Sequence, residues 1–268
     1  LESARAFSAA AQAAGRRLRI HVKADTGMSR LGWLCNEGHR TEAADAIAAV
    51  CALPGLEAEG IYTHFANADG DEAYTMGQFT RFLELLSELE GRGITFPIRH
   101  CAASAAVLKY PCTHLDMVRP GVALYGHYPD PSCEGLDGVG LRPVMALKTR
   151  VASVKAVPAG TPVSYGCTHV LERDAELAAL TVGYADGLPR LCSDRLEVLI
   201  RGQRAPIVGR VCMDMCMADA TGLGAAPGDE VELFGEHLPV EDAAALAGTI
   251  QYELLCAVSP RVPREYLN

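Results

Sequence analysis

One cation, Arg119, stands between the apolar pair Met117-Val118 and the rigid turn Pro120-Gly121. An arginine at the C-terminal end of a parallel strand lies where α/β enzymes place their chemistry. Gly121 has no side chain, so the backbone N–H groups of Gly121 and Val122 can approach an anion closely. The plainer reading is an arginine salt-bridged ahead of a turn. Three other segment ends carry reactive side chains: Lys23, His64 and Ser104. Together the four supply a guanidinium, an amine, an acid–base imidazole and a hydroxyl.

The elements that must position them alternate between helix and strand. An Ala-rich helix is expected over 2–14, ending at Gly15. A strand over 18–24 leads into the loop 25–32. A helix over 41–51 precedes a second strand over 60–65. The apolar residues Phe79, Phe82, Leu83, Leu86 and Leu89 recur at helical spacing, which predicts a helix over 74–89 closed by Gly91. A third strand over 98–101, a short helix over 104–109 and a fourth strand over 117–118 complete the series. Strand–helix units in a row imply a parallel sheet, and polar residues at the strand ends imply the catalytic rim of an α/β barrel. Four units are half of the eight that such a barrel needs.

Beyond Tyr128-Pro-Asp-Pro the pattern changes. The spacing predicts strands over 144–157, 162–165, 177–184, 196–201, 205–217 and 230–234, with tight turns between them. Short helices are expected over 239–247 and 252–256. The expected architecture is α/β + β: the second half of a (β/α)8 barrel over 1–135, then a mostly antiparallel β domain over 136–268.

With 268 residues, 49% of them hydrophobic, the chain can bury a sizeable core. The net charge of -9 argues against nucleic acid or anionic lipid as the main partner. No apolar run approaches the ~20 residues of a membrane span, and Leu-Glu-Ser-Ala-Arg is no signal peptide. The ten cysteines form no C-x-x-C pair and read as reduced thiols, with no metal site expected.

Eight motifs in one order resemble the alanine racemase family: Lys23-Ala-Asp-Thr-Gly-Met-Ser-Arg-Leu-Gly32, Tyr62-Thr-His-Phe65, His100-Cys-Ala-Ala-Ser104, Val118-Arg-Pro-Gly121, Val163-Ser-Tyr-Gly166, Gly183-Tyr-Ala-Asp-Gly187, Gly209-Arg-Val-Cys-Met-Asp214 and Arg261-Val-Pro-Arg264. The resemblance implies a pyridoxal-phosphate enzyme that interconverts L- and D-alanine by two-base proton transfer, supplying D-alanine for peptidoglycan. Tyr165 would be one base. An ordinary phenol has a pKa of about 10, so neighbours must ease its deprotonation. The family supplies a histidine–arginine chain, matching His64 and Arg119. Arg119 would face the pyridine nitrogen of the cofactor; because it keeps its proton, that nitrogen stays unprotonated and transamination is suppressed.

The phosphate would sit with Ser104 and the Gly121–Val122 backbone, and Arg30 would bind the substrate carboxylate, helped by the backbone of the partner subunit's Met213. Lys23 matches a lysine that some members carry as a carbamate; it also reads as a strand-end lysine paired with Asp25. Tyr184 and Asp214 would line the approach to the site. The resemblance thus implies a homodimer with a shared site, expected in the cytoplasm or as the cytoplasmic domain of a membrane-anchored form.

Two departures stand out. The motif of the family's Schiff-base lysine is absent, and the chain's lysines are Lys23, Lys109, Lys148 and Lys155. At about 30 residues per unit, a front half of roughly 120 residues is expected to be missing. Pro260 and Ala103 also replace a tyrosine and an asparagine of some relatives. The alternatives are a serine or serine/alanine racemase, and an inactive fragment or interaction subunit.

Overall fold

The computed structural model describes residues 1–267, in two units divided between Arg142 and Pro143. The first unit runs past the expected boundary at 135 because the 3-10 turns Pro131–Cys133 and Leu136–Gly138 pack against the preceding short helix Ser104–Lys109.

In chain order the first unit contains α1 (Glu2–Ala13), β1 (Leu18–Asp25), β2 (Trp33–Leu34), α2 (Arg40–Cys51), β3 (Leu56–Tyr62), α3 (Glu72–Gly91), β4 (Ile98–His100) and α4 (Ser104–Lys109). The sheet order is β2-β1-β3-β4, and every pairing is parallel. Alternation along β1 sends Val22 and Ala24 into the core, leaving His21 and Lys23 half-buried on the other face. Asp71 caps α3 by accepting the Tyr74 N–H at 2.9 Å. Thr75, Gln78, Phe82, Leu85 and Leu89 follow at three- and four-residue steps, all buried. Phe82, Leu85 and Leu89, with Ile47, Val50 and Ile61, form the core between the helices and the sheet.

Three expectations are corrected here. Residues 117–118 form no strand; their place is marked by a single parallel bridge between Ala103 and Arg119, with the Arg119 N–H donating to Ala102 O at 2.9 Å. Pro120 has no N–H and stops the ladder there. The strand expected over 60–65 starts at Leu56 and ends at Tyr62, so Thr63 and His64 lie just past its end. The helix expected to close at Gly91 runs through that residue to its cap at Arg92.

The second unit contains β5 (Leu147–Val157), β6 (Pro162–Val163), β7 (His169–Val170), β8 (Ala175–Leu180), β9 (Glu197–Ile200), β10 (Gln203–Pro206), β11 (Cys216–Asp219), β12 (Glu230–Phe234), α5 (Val240–Ala247) and α6 (Gln251–Ala257). Six strands form one sheet, order β10-β9-β12-β5-β8-β11, with every pairing antiparallel. A bridge between Ile207 and Ala218 joins the two ends and closes the sheet on itself, which leaves few unpaired edge groups. The core includes Val151, Leu180, Val198, Ile200, Val231 and Leu233, covered by α5 and α6. The single strand expected over 205–217 is broken. Its middle loops out where Asp194 Oδ1 takes the Gly209 N–H and the Cys212 N–H turns back to Met215 O.

Phe82 is fully buried, so Phe82→Ala is expected to destabilise the first unit by about 3–5 kcal/mol through lost transfer energy and a cavity. Urea unfolding of the two proteins checks this; a loss below about 1 kcal/mol would show that the site collapses freely.

Candidate active site

The ends of β1, β3 and β4 converge on Arg119. Its Nη1 donates to His100 Nδ1 at 2.5 Å; its Nη2 donates to Thr63 O at 2.9 Å, Cys101 O at 3.2 Å and His64 Nδ1 at 3.2 Å. Its Nε makes no hydrogen bond among the described residues. The guanidinium lies over the Tyr62 ring, 5.2 Å from its centre, and Tyr62 stacks on His100 at 4.9 Å and 3°. Arginine has donors only, so both histidines must accept through Nδ1. Their rings are neutral at pH 7: burial, then the charge of Arg119, pushes each down to about 4. Each therefore carries its proton on Nε2. Burial also lowers Arg119 itself, but a guanidinium stays charged.

Below Arg119 the chain turns through Gly121 into the 3-10 turn Val122–Tyr125. The buried Ser104 hydroxyl, first residue of α4, accepts the N–H of Gly121 at 2.8 Å and of Ala123 at 3.2 Å. Both lone pairs being engaged, its own O–H is left to donate. The Ser104 hydroxyl thus braces the turn that begins two residues after Arg119 and keeps its own proton to donate.

Lys23 lies over the other part of the Tyr62 ring, 5.8 Å from its centre. Burial lowers its pKa, Arg30 lowers it further, and Asp25 opposes them. The pairing with Asp25 read from the sequence is not formed. Asp25 Oδ1 instead accepts the N–H groups of Gly27, Met28 and Ser29, each at 3.0 Å. This wraps the loop that carries the exposed Arg30, and Tyr74 and Arg81 tie it to α3 through Gly27 O at 2.6 Å and Thr26 O at 2.8 Å.

In the second unit Tyr165 opens a one-turn 3-10 segment and is 72% exposed. The preceding Ser164 donates to Arg210 O at 2.8 Å, which draws this segment to the Gly209–Asp214 loop. That loop is zipped to Gly183–Gly187 by the N–H groups of Tyr184 on Cys212 O (3.0 Å) and Ala185 on Met213 O (2.9 Å). Gly183 permits the contact: a Cβ there would lie 2.3 Å from Cys212 O. Tyr165, Tyr184, Met213 and Asp214 therefore share one exposed patch. Asp186 stiffens it by pairing with Arg261 at 2.7 Å and accepting the Gly183 N–H at 2.9 Å.

These motifs match known proteins along the whole chain. Residues 1–129 fit the family model described as alanine racemase, N-terminal domain, and residues 144–266 fit alanine racemase, C-terminal domain. An alanine racemase of Desulforamulus reducens is 49% identical over 99% of this chain and 71% of its own length; that of Desulfovibrio desulfuricans is 48% identical over 100% and 71%. The crystal structure of alanine racemase from Streptomyces coelicolor superposes with a TM-score of 0.93 at 38% identity, covering 100% of this chain and 71% of that one. The chain belongs to the alanine racemase family.

The family fold, an N-terminal domain followed by a C-terminal β domain, is the one seen here. The expectation that residues 1–135 are only the second half of a barrel, cut off from the Schiff-base lysine segment, finds no support, because the N-terminal domain model matches residues 1–129. Alanine racemases use pyridoxal phosphate, and the residues present fit it. The Ser104 hydroxyl and the Gly121–Val122 turn beside it suit its phosphate, and the uncommitted Arg119 Nε suits its ring nitrogen.

Sequence reasoning had named Arg119, His64, Ser104 and Gly121. It missed His100 as the shorter partner of Arg119, along with Thr63 O, Cys101 O and Tyr62. The available signal was the two-residue spacing of Tyr62 and His64, with His100 ending the next strand.

Both histidines are depressed from 6.5 to about 4, so unfolding takes up protons between those values. Their stabilisation is complete above about 6.5 and is lost as pH falls toward 4. Asp116 and Asp186 are depressed from 3.8 and titrate below that window. The urea midpoint is therefore expected to drop between about pH 7 and 4.5; a flat midpoint across that range would contradict the neutral pair.

Proposed function

We propose that this chain catalyses the pyridoxal-phosphate-dependent interconversion of L- and D-alanine. The observation that carries the reading is the Arg119 clamp, a guanidinium held by two neutral histidines and two carbonyls beside a turn braced on the Ser104 hydroxyl. When bound, the cofactor supplies the electron sink that makes the substrate α-proton removable. Arg119 would face its ring nitrogen and donate without surrendering a proton, which would leave that nitrogen unprotonated and disfavour amino-group transfer. The Ser104 hydroxyl and the Gly121–Val122 backbone would hold the phosphate, the Gly121 N–H turning to it from Ser104.

Tyr165 takes the α-proton at its phenol oxygen from one face of the substrate or returns it there. The neutral His64 keeps Nε2–H free to donate to the phenol oxygen of the partner subunit's Tyr165 and ease its deprotonation. Arg30 binds the substrate carboxylate. Lys23, with its amine pKa lowered and Arg30 near, suits the carbamate that some family members carry, since a neutral amine is the form that captures carbon dioxide. The strong exposure of Tyr165 (72%) and Met213 (58%) supports a homodimer in which both serve the partner's site, with Tyr184 and Asp214 lining the approach.

Tyr165→Phe is expected to lower D-alanine formation by about 10³-fold while pyridoxal phosphate still binds, as for loss of a general base. A chiral assay of L-alanine turnover, run beside L-serine, measures this. Retained activity would remove Tyr165 from the mechanism, and faster turnover of serine would reassign the substrate. For Lys23, a carbamate carbon signal is expected under ¹³C-labelled carbon dioxide and should vanish in Lys23→Gln; no signal in the unsubstituted protein would rule the carbamate out.

A further inference from the structure

β1 and β4 are not neighbours, because β3 lies between them. Even so, the His21 ring on β1 reaches the His100 ring on β4, with Nδ1 and Nε2 2.7 Å apart. The crossing depends on Gly60, the register partner of His21 on β3. A Cβ at Gly60 would lie 2.5 Å from His21 Nδ1 and 2.7 Å from its Cε1, so any other residue would displace the ring. The ladder shifts register at this point, between Ile20 and His21. On its far side His21 Nε2 faces Glu59 Oε2 at 3.6 Å, and the other oxygen of Glu59 is held by Arg19 at 2.9 Å.

The proton positions along this row follow from one end. Arg119 cannot accept, so His100 Nδ1 accepts and its proton sits on Nε2. That N–H donates to His21 Nδ1, which leaves the His21 proton on Nε2, facing the carboxylate. The row donates outward from Arg119 through His100 to His21, whose Nε2 then faces Glu59 across 3.6 Å. Stacking on Tyr62 fixes the plane of the His100 ring but not its rotation within that plane. The contacts with Arg119 and His21, on its two nitrogens, fix the rotation.

We propose that His21 and Glu59 are positioning residues for Arg119. By accepting the His100 Nε2–H, His21 holds the Nδ1 lone pair on Nη1, and so holds the guanidinium in the orientation that leaves Nε for the cofactor ring; Glu59 orients His21 by facing its Nε2. The proposal rests on the racemase reading and adds to it two residues that touch neither substrate nor cofactor. Without His21 the buried His100 N–H would lose its acceptor. The ring would then turn to find another.

The first test needs no cofactor. Nitrogen-15 NMR of histidine-labelled protein at neutral pH is expected to show His100 and His21 both neutral, each with its proton on Nε2. An Nδ1–H tautomer or an imidazolium at His100 would overturn the proposal, whatever reaction the protein catalyses. The second test uses variants loaded with pyridoxal phosphate. His21→Leu is expected to lower kcat by about tenfold or more with KM within about twofold, the pattern of a lost transition-state interaction. It should also raise the pyruvate released per D-alanine formed, because a loosened Arg119 no longer keeps the ring nitrogen unprotonated. His21→Gln, whose amide oxygen can accept the same N–H, should recover most of both, and Glu59→Gln should fall between. If His21→Leu keeps the kcat and pyruvate ratio of the unsubstituted protein, or if His21→Gln is no better than His21→Leu, the positioning role is wrong. If His21→Leu does not fold, the NMR result on the unsubstituted protein decides alone. If that protein makes no D-alanine, the racemase reading falls while the tautomers still test the row.

Discussion

Arginine offers five donors and no acceptor, and at Arg119 that asymmetry orders everything within reach. Thr63 and Cys101 turn their carbonyls toward it, and His64 and His100 must present bare Nδ1 atoms. The fork is satisfied by groups from three places in the chain, just past β3, just past β4 and on β4 itself. Those groups stand side by side because β3 and β4 are parallel neighbours whose C-terminal ends lie at one edge. Burial does the rest by keeping both imidazoles neutral. A charged histidine at either position would set donor against donor.

The second unit solves a different problem. Tyr165 has to stay accessible yet keep a defined position, and a closed antiparallel sheet gives a rigid frame for an exposed loop. The loop is fixed by backbone contacts rather than by burial of the tyrosine. Ser164 binds Arg210 O, the Gly209–Asp214 loop binds the Gly183–Gly187 turn, and Asp186 pairs with Arg261. The chemistry-bearing side chains are thus left at the surface while the chain beneath them is held at several points.

Much of this was legible in the sequence where local rules decide. The alternation in 18–24, the helical spacing in 74–89 and the strand expected over 230–234 each correspond to an observed element. The polar residues at the strand ends gave the correct edge of the first sheet. What was not legible depends on register and on neighbours distant in the chain. The His21–His100 contact requires Gly60 to lie beneath the ring, which no pattern within β1 or β4 reveals. The strand expected at 117–118 fails because Pro120 cannot continue a ladder, although the apolar pair before it reads well. Trp33–Leu34 is too short to announce itself, and the strand expected over 205–217 is split by hydrogen bonds from the Gly209 and Cys212 N–H groups to Asp194 and Met215 that only the fold supplies.

The account stands on the fork geometry of Arg119, beyond its charge. Arg119→Lys keeps the charge and loses the fork, since an ammonium cannot hold two imidazoles and two carbonyls in fixed directions. The decisive measurement is the rate of D-alanine formation from L-alanine by the pyridoxal-phosphate-loaded protein, with and without that substitution. The account predicts a fall of about a hundredfold or more in Arg119→Lys, comparable to other losses of a preorganised donor. A rate within about twofold of the unsubstituted protein would contradict it, because charge alone would then suffice.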